Sequence, residues 1–145
     1  MRTALHAYIN HVSVEKLKEA LFSVVQNLEY TKTETFSGNY VVQYFENKYC
    51  GILLHLNPDI CWSLEVEIKG DISNTEYSGI NNIQFGEKLV YELGCEAIVD
   101  CEGEINPVHS DRMVRITKNR WESVEIPDEG EKVNESTTKE IHRQA

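Results

Sequence analysis

Two glutamates on one predicted strand have the spacing of an acid–base pair. Glu65 and Glu67 alternate with apolar neighbours, so both carboxylates lie on one face of the strand, about 7 Å apart. Paired carboxylates at such a distance can act as general acid and base on a glycosidic bond. The same alternation is the ordinary pattern of a strand with one buried and one exposed face. A solvated face, a partner-binding face and a catalytic pair all stay open; we predict partner binding and no catalytic residue.

An acidic loop is the second candidate site. Asp100, Glu102 and Glu104 alternate at its start, as do the acids at the start of a calcium loop. The glycine that a calcium loop requires next is replaced by Ile105, and Pro107 interrupts the middle of the segment. We therefore predict no metal and no cofactor here, and interpret the three acids as a partner-binding edge, with a plain solvated loop as the alternative.

Cysteine and histidine spacing predicts neither a zinc site nor a nucleophile. The four cysteines form no Cys-x-x-Cys pair, and the five histidines lack metal-ligand spacing. Cysteines beside apolar segments in a reducing compartment are expected to be free thiols that pack as small hydrophobes. His55 could meet Cys50 or Cys61 in space, but no flanking residue matches a cysteine-nucleophile signature.

The charge balance narrows the class of partner. The 145 residues include 24 acids and 14 bases, which gives a formal net charge of -10. Binding to phosphate backbones or anionic membranes depends on lysine and arginine, so neither free nucleic acid nor a membrane is expected as a partner. A basic protein is favoured, because opposite fields accelerate encounter. No signal-peptide or membrane-spanning pattern occurs, so we expect a cytoplasmic location.

The periodicity predicts the elements that position these residues. A helix begins after the N-cap Ser13, and a second helix ends at Gly94, where glycine favours the left-handed stop. Gly86 within the second helix costs about 1 kcal/mol relative to alanine. The predicted strands are 3–10, 40–46, 50–56, 62–69, 97–99, 113–117 and 121–126, and the predicted helices run from Val14 to about Leu28 and over 82–93.

This order predicts an α+β fold in which both helices pack on one face of a largely antiparallel sheet. Residues 1–127 form the single predicted domain. Residues 128–145 contain five acids, three bases and no aromatic residue, and they are predicted to be a disordered polar, acidic tail. The sheet face opposite the helices would then carry Glu65 and Glu67.

The segment from Phe85 to Cys101, FGEKLVYELGCEAIVDC, resembles small bacterial immunity proteins of polymorphic-toxin and contact-dependent inhibition systems. In it an amphipathic helix passes through Leu93-Gly94 into a short strand that ends in acid, and a hairpin with an aromatic residue follows. The resemblance implies a cytoplasmic antidote that masks the active site of a cognate toxin, commonly a basic nuclease. It transfers no functional residue.

The sequence thus predicts an acidic inhibitor of the immunity-protein type, whose carboxylates bind a basic toxin around an aromatic anchor. Tyr91 is an alternative anchor. Three other functions stay open: a phage anti-defence protein that mimics nucleic acid, a small hydrolase or transferase with a carboxylate or cysteine site, and a housekeeping interaction module. The oligomeric state is not predicted. The residues assigned to partner binding are Glu65, Glu67, Asp100, Glu102, Glu104 and Trp121.

Overall fold

The alternating segments become strands and the amphipathic segments become helices in a computed structural model that describes residues 2–100, 112–125 and 132–141. The elements are, in chain order, β1 (Thr3–Asn10), α1 (Val14–Val24), β2 (Glu29–Thr35), β3 (Val41–Glu46), β4 (Cys50–Leu56), β5 (Leu64–Gly70), α2 (Asn82–Leu93), β6 (Glu96–Val99), β7 (Arg112–Ile116), β8 (Trp121–Glu125), a 3-10 helix (Glu135–Thr137) and β9 (Lys139–Ile141).

Within these described residues the strands form one nine-stranded sheet in the order β2-β3-β4-β5-β1-β6-β7-β8-β9. Every neighbouring pair is antiparallel. The predicted α+β class, with an antiparallel sheet and two α-helices, is confirmed. β1 lies between β5 and β6, so the first strand of the chain occupies the middle of the sheet.

Side-chain caps fix where the helices begin. Ser13 accepts a hydrogen bond from the backbone N–H of Lys16, which satisfies one of the free donors of α1. Asn81 and Gln84 exchange side-chain and backbone hydrogen bonds in a capping box at the start of α2. Gly94 ends α2 with a positive φ of 66°. These local signals explain why both helix starts agree with the sequence prediction.

Both helices cover the same face of the sheet. Their buried residues share one core cluster with every second residue of the central strands. The residues between them therefore stand on the opposite side, here called the open face, which is defined by His6 and Tyr8 of β1, His55 of β4, and Glu65 and Glu67 of β5. The core on the helix side includes Leu5, Ala7, Ile9, Leu17, Leu21, Ile52, Leu54, Val66, Ile68, Phe85 and Leu89.

Gly86 lets α2 approach the sheet closely. A Cβ atom at this position would lie 2.9 Å from Cδ1 of Ile116 and 3.1 Å from Cγ1 of Val99. Both distances are shorter than an ordinary van der Waals contact between carbon atoms. The glycine that lowers the helix propensity of this segment is therefore explained by packing against β6 and β7.

Before residue 128, three elements differ from the sequence prediction by two residues or more. α1 ends at Val24 and not at about Leu28, because Val25 has an extended backbone (φ −103°, ψ 101°). β2 was not predicted, because Glu29–Thr35 has polar residues on both sides of the strand. All of its residues except Glu34 are exposed. The third predicted strand, 62–69, begins two residues later, since Leu64 is the first residue of β5 and Trp62 precedes it.

The predicted disorder from residue 128 onward is not confirmed. Lys139–Ile141 form β9, which pairs with β8, and the 3-10 helix lies just before it. Arg115 of β7 holds this segment through two hydrogen bonds to the carboxylate of Glu135, at 2.6 and 3.2 Å. Charge pairing and strand pairing give this polar segment its structure, and neither has a signature in local composition.

Candidate functional site

The open face gathers two histidines around the two predicted glutamates. In the antiparallel register, His55 of β4 lies opposite Glu65 of β5, and His6 of β1 lies opposite Glu67. β5 runs between β4 and β1, so each glutamate has an imidazole on one side or the other. One polar cluster thus forms from five adjacent positions on three strands. Its fifth member is Tyr8, which lies opposite Glu65.

His6 binds Glu65 in a partly buried position. Its Nε2 lies 2.6 Å from Oε2 of Glu65, and the two side chains are 22% and 17% exposed. Burial lowers the pKa of His6, but the hydrogen bond and charge of Glu65, together with the charges of Glu67 and Asp100, raise it above its ordinary value. His6 is therefore biased toward the imidazolium form, with three carboxylates around it.

The backbone at His6 is held by α2. β6 pairs only with Tyr8–Asn10 of β1, so the ladder stops before His6 on that side. The His6 backbone N–H instead donates to Oδ1 of Asn82, the first residue of α2, at 2.9 Å. This contact satisfies a backbone donor that has no strand partner, and it fixes the residue that carries the imidazole.

A second hydrogen-bonded chain crosses the open face from Tyr40, the residue before β3, to β5. The hydroxyl of Tyr40 lies 2.7 Å from Nδ1 of His55, and Nε2 of His55 lies 3.1 Å from Oε1 of Glu67. Lys69 approaches the other oxygen of Glu67 at 3.5 Å. Both oxygens of Glu67 therefore have a polar neighbour, and the side chain of His55 has one at each ring nitrogen.

A cleft of about 220 Å³ opens beside these two chains. It combines an aromatic wall with an imidazole and a carboxylate. Trp62, one of its lining residues, is 7% exposed and belongs to a small apolar cluster on this side of the sheet, with Ile98 and Val124. The lining residues are Tyr8, Tyr40, His55, Asn57, Ile60, Trp62, Ser63 and Glu65.

Among the described residues, one set could hold a metal ion. The donor atoms of His6, Glu65 and Glu67 lie within 4.8 Å of one another. Imidazole and carboxylate donors suit several divalent metals. An ion at this position would have to displace the His6–Glu65 hydrogen bond and compete with Lys69 for Glu67. The set is thus already satisfied by its own hydrogen bonds and charges.

The structure brings together three of the six residues predicted for partner binding. Donor atoms of Glu65 and Glu67 lie within 4.8 Å of that of His6, and Asp100, the residue after β6, is near enough for its charge to raise the pKa of His6. Glu102 and Glu104 lie outside the described residues.

Trp121 does not join this group, because it belongs to the core cluster on the helix side and is 8% exposed. Tyr91 is 82% exposed but lies on α2, across the sheet from the glutamates. The aromatic side chains beside the cluster are Tyr8 and Tyr40 instead.

Sequence reasoning missed His6, His55 and Tyr40 as members of the site. Histidines were compared by their spacing along the chain, and these two meet their glutamates only through the sheet register. The usable signal was alternation, which places His6 and Tyr8 on the side of β1 opposite its buried residues.

Among the described residues, which exclude Cys101, the two buried thiols argue against cysteine chemistry. Cys50 and Cys95 are buried, and burial raises the pKa of both, that of Cys95 to about 11. A thiol with a raised pKa is a poor nucleophile near neutral pH. Cys61 is exposed, and it is not among the residues that line the cleft.

Comparison with known proteins adds no assignment. No protein-family model, curated protein or solved structure matches the chain. In the part of the chain that the structure describes, no helix is long and apolar enough to cross a membrane.

Proposed function

We propose that this protein is an acidic inhibitor of the immunity-protein type, which binds a basic bacterial toxin in the cytoplasm and masks its active site. The observation that carries the proposal is the pairing of Glu65 and Glu67 on the sheet face that the helices leave open, with Asp100 near enough for its charge to raise the pKa of His6. A cluster of carboxylates on a broad sheet face presents a negative field to a basic surface.

The cleft gives this face a place for one cationic side chain. A guanidinium stacks on aromatic rings and pairs with carboxylates in a planar geometry. Tyr8 and Tyr40 supply the rings and Glu65 supplies the carboxylate, all within the same cleft. An arginine of the partner is therefore the side chain that we expect to enter it, in the manner of a buried anchor at an interface.

The net charge supports a protein partner over nucleic acid. At -10, the chain repels phosphate backbones, and nucleases and other nucleic-acid enzymes carry basic surfaces that it would attract. Mimicry of nucleic acid by a phage protein would call for longer rows of acids than the three that meet here.

A second candidate, a small hydrolase or transferase, is favoured by one observation. The Tyr40–His55–Glu67 chain has the order of a general base with an orienting carboxylate, and it borders the cleft. In this function the Tyr40 hydroxyl, which lines the cleft, would exchange a proton with the substrate, and His55 would accept or return that proton through its hydrogen bond to Tyr40. A cysteine at position 50 or 95 would take no part, since both are buried.

The test begins with a pull-down of the tagged protein from its native lysate at low and at moderate salt, followed by identification of the bound protein. The purified partner is then assayed for its own activity and for association with two variants of equal net charge. One removes the open-face charges (Glu65→Gln, Glu67→Gln, Asp100→Asn), and the other removes three exposed helix charges (Glu15→Gln, Glu19→Gln, Glu92→Gln).

We expect the open-face variant to slow association about tenfold or more and to lose inhibition, while the helix variant retains both. Equal effects of the two variants would mean that only bulk charge matters, and would contradict the assignment of the face. Absence of a stoichiometric basic partner at both salt concentrations would favour the enzyme, for which Tyr40→Phe and His55→Gln should abolish and reduce turnover, respectively.

A further inference from the structure

β2 is one end of the nine-stranded sheet formed by the described residues. All of its residues except Glu34 are exposed. Tyr30 within the strand is 59% exposed, and Phe36, which follows it, is 57% exposed. An end strand presents unpaired backbone groups that can template another strand. The sequence of β2 and the direction of its hydrogen bonds indicate which strand it would accept.

Backbone hydrogen bonds show which residues of β2 face outward. Phe36 donates its N–H to the carbonyl of Tyr40, on the β3 side, at 3.0 Å. Backbone groups alternate in direction along a strand, so the N–H and C=O groups of Glu34 and Lys32 also point toward β3. Thr33 and Thr35 therefore direct their N–H and C=O groups away from the sheet.

We propose that β2 binds β2 of a second copy of this chain, antiparallel and centred on Thr33. The two copies of Thr33 then exchange both backbone hydrogen bonds across a two-fold axis. Lys32 of each copy lies directly opposite Glu34 of the other, in the non-hydrogen-bonded positions where side chains approach most closely. The nine-stranded sheet continues into that of the second copy.

Charge selects this register over its neighbours. Centring the pair on Lys32 places two lysines face to face, and centring it on Glu34 does the same with two glutamates. Only the Thr33 centre makes two opposite-charge pairs by symmetry, and like charges directly opposite are destabilising.

Both charged side chains are already held in place for this pairing. Nζ of Lys32 lies 2.7 Å from Oε1 of Glu34 and 4.8 Å from the ring centre of Tyr44. The Tyr44 hydroxyl donates to Glu34 at 3.1 Å. Four alternating charges from two copies would therefore form a square on the open-face side of the joined sheet.

An irregularity in the β2–β3 pairing limits the length of the contact. The register shifts between Tyr30 and Lys32, so the regular part of β2 runs only from Lys32 to Thr35. A bulge of this kind blunts a sheet edge. The interface is thus smaller than the standard size, and we expect a weak dimer with a dissociation constant of about 10 µM or higher.

The experiment is sedimentation velocity over a wide concentration range with wild type, Lys32→Glu, Glu34→Lys and the double exchange. Each single variant places like charges opposite each other twice, and its dimer dissociation constant should rise about tenfold or more. The double exchange restores both pairs and should dimerise as wild type does. An equimolar mixture of the two single variants should form a heterodimer, because each supplies the charges that the other lacks.

Thr33→Pro provides an independent control. Its N–H points away from β3, so the proline removes no hydrogen bond within the chain but blocks both central bonds of the dimer. Circular dichroism checks that each variant is folded. If the wild type stays monomeric at all concentrations, the proposal is wrong, and a different protein would be the binding partner of β2. A dimer that neither single variant weakens, or single variants that fail to combine, would also overturn it.

Discussion

His6 binds Glu65 diagonally across the β1–β5 pair, at 2.6 Å, although Glu67 is its direct neighbour in the register. The diagonal choice leaves Glu67 for His55 on the other side of β5. Each glutamate thus forms a hydrogen bond with a different imidazole, within one cluster on the open face. Because one member of the His6–Glu65 pair titrates near neutral pH, stability should depend on pH.

The pH dependence has a definite sign. The pKa of His6 is raised above its ordinary value of 6.5, so the folded state binds its proton more tightly than the unfolded state. The stabilisation is complete below pH 6.5 and is lost as pH rises through the folded-state pKa. Relative to His6→Asn, the wild type should be more stable by about 1–2 kcal/mol at the acidic end.

Urea unfolding of both proteins between about pH 5.5 and 9 measures this difference, and NMR titration of the His6 ring gives the pKa directly. His11→Asn is the matched control: His11 also contacts a glutamate, Glu96, at 2.8 Å, but its side chain is 66% exposed, and an exposed pair contributes little to stability. A wild-type advantage that grew with pH, or that stayed constant, would contradict a raised pKa at His6.

Gly86→Ala should destabilise the protein despite the better helix propensity of alanine. Propensity favours alanine by about 1 kcal/mol, but the added Cβ would press on Ile116 and Val99, and overpacking of a core costs about 1–3 kcal/mol. We expect a net loss of about 1 kcal/mol in thermal or urea unfolding. Ile116→Val removes the nearest methyl group, so the double variant should lose less than the sum of the two single variants. If the losses of the two single variants simply add, the contact between position 86 and Ile116 does not cause the destabilisation.

The sequence was sufficient to predict those elements whose structure depends on residues adjacent in the chain. The predicted bounds of α2 and β4 agree with the structure, because caps, turns and periodicity are local signals. β2 gave no such signal, since an end strand exposed on both sides needs no apolar alternation.

The site shows the same limit. Alternation placed Glu65 and Glu67 on one face, which the structure bears out. Their partners could not be read from the chain, because His6 lies 59 residues before Glu65 and meets it only once β1 inserts beside β5. Trp121 was chosen as an exposed anchor because it is aromatic, whereas its register opposite Ile116 turns it toward the helices.

The described cysteines should differ sharply in reactivity. Cys61 is exposed, whereas Cys50 and Cys95 are buried with raised pKa values. Alkylation of the native protein at neutral pH, followed by peptide mapping, should label Cys61 and leave Cys50 and Cys95 largely unmodified until denaturant is added. Rapid labelling of Cys95 in the native state would show that the packing of α2 against β6 opens readily.

Arg115 should contribute more to stability than any exposed ion pair near it. Its side chain is 12% exposed and contacts Glu122, itself 9% exposed, at 2.9 Å, as well as Glu135. Arg115→Met leaves Glu122 buried beside a more distant cation, which should cost about 3 kcal/mol. It should also release β9, seen as faster hydrogen exchange in 139–141. Arg120→Met is the control, because Arg120 is 57% exposed and lies 3.6 Å from Glu122, so its loss should cost less than about 1 kcal/mol. If both variants unfold alike, the buried pair has no special role, and β9 must be held by its backbone pairing with β8 alone.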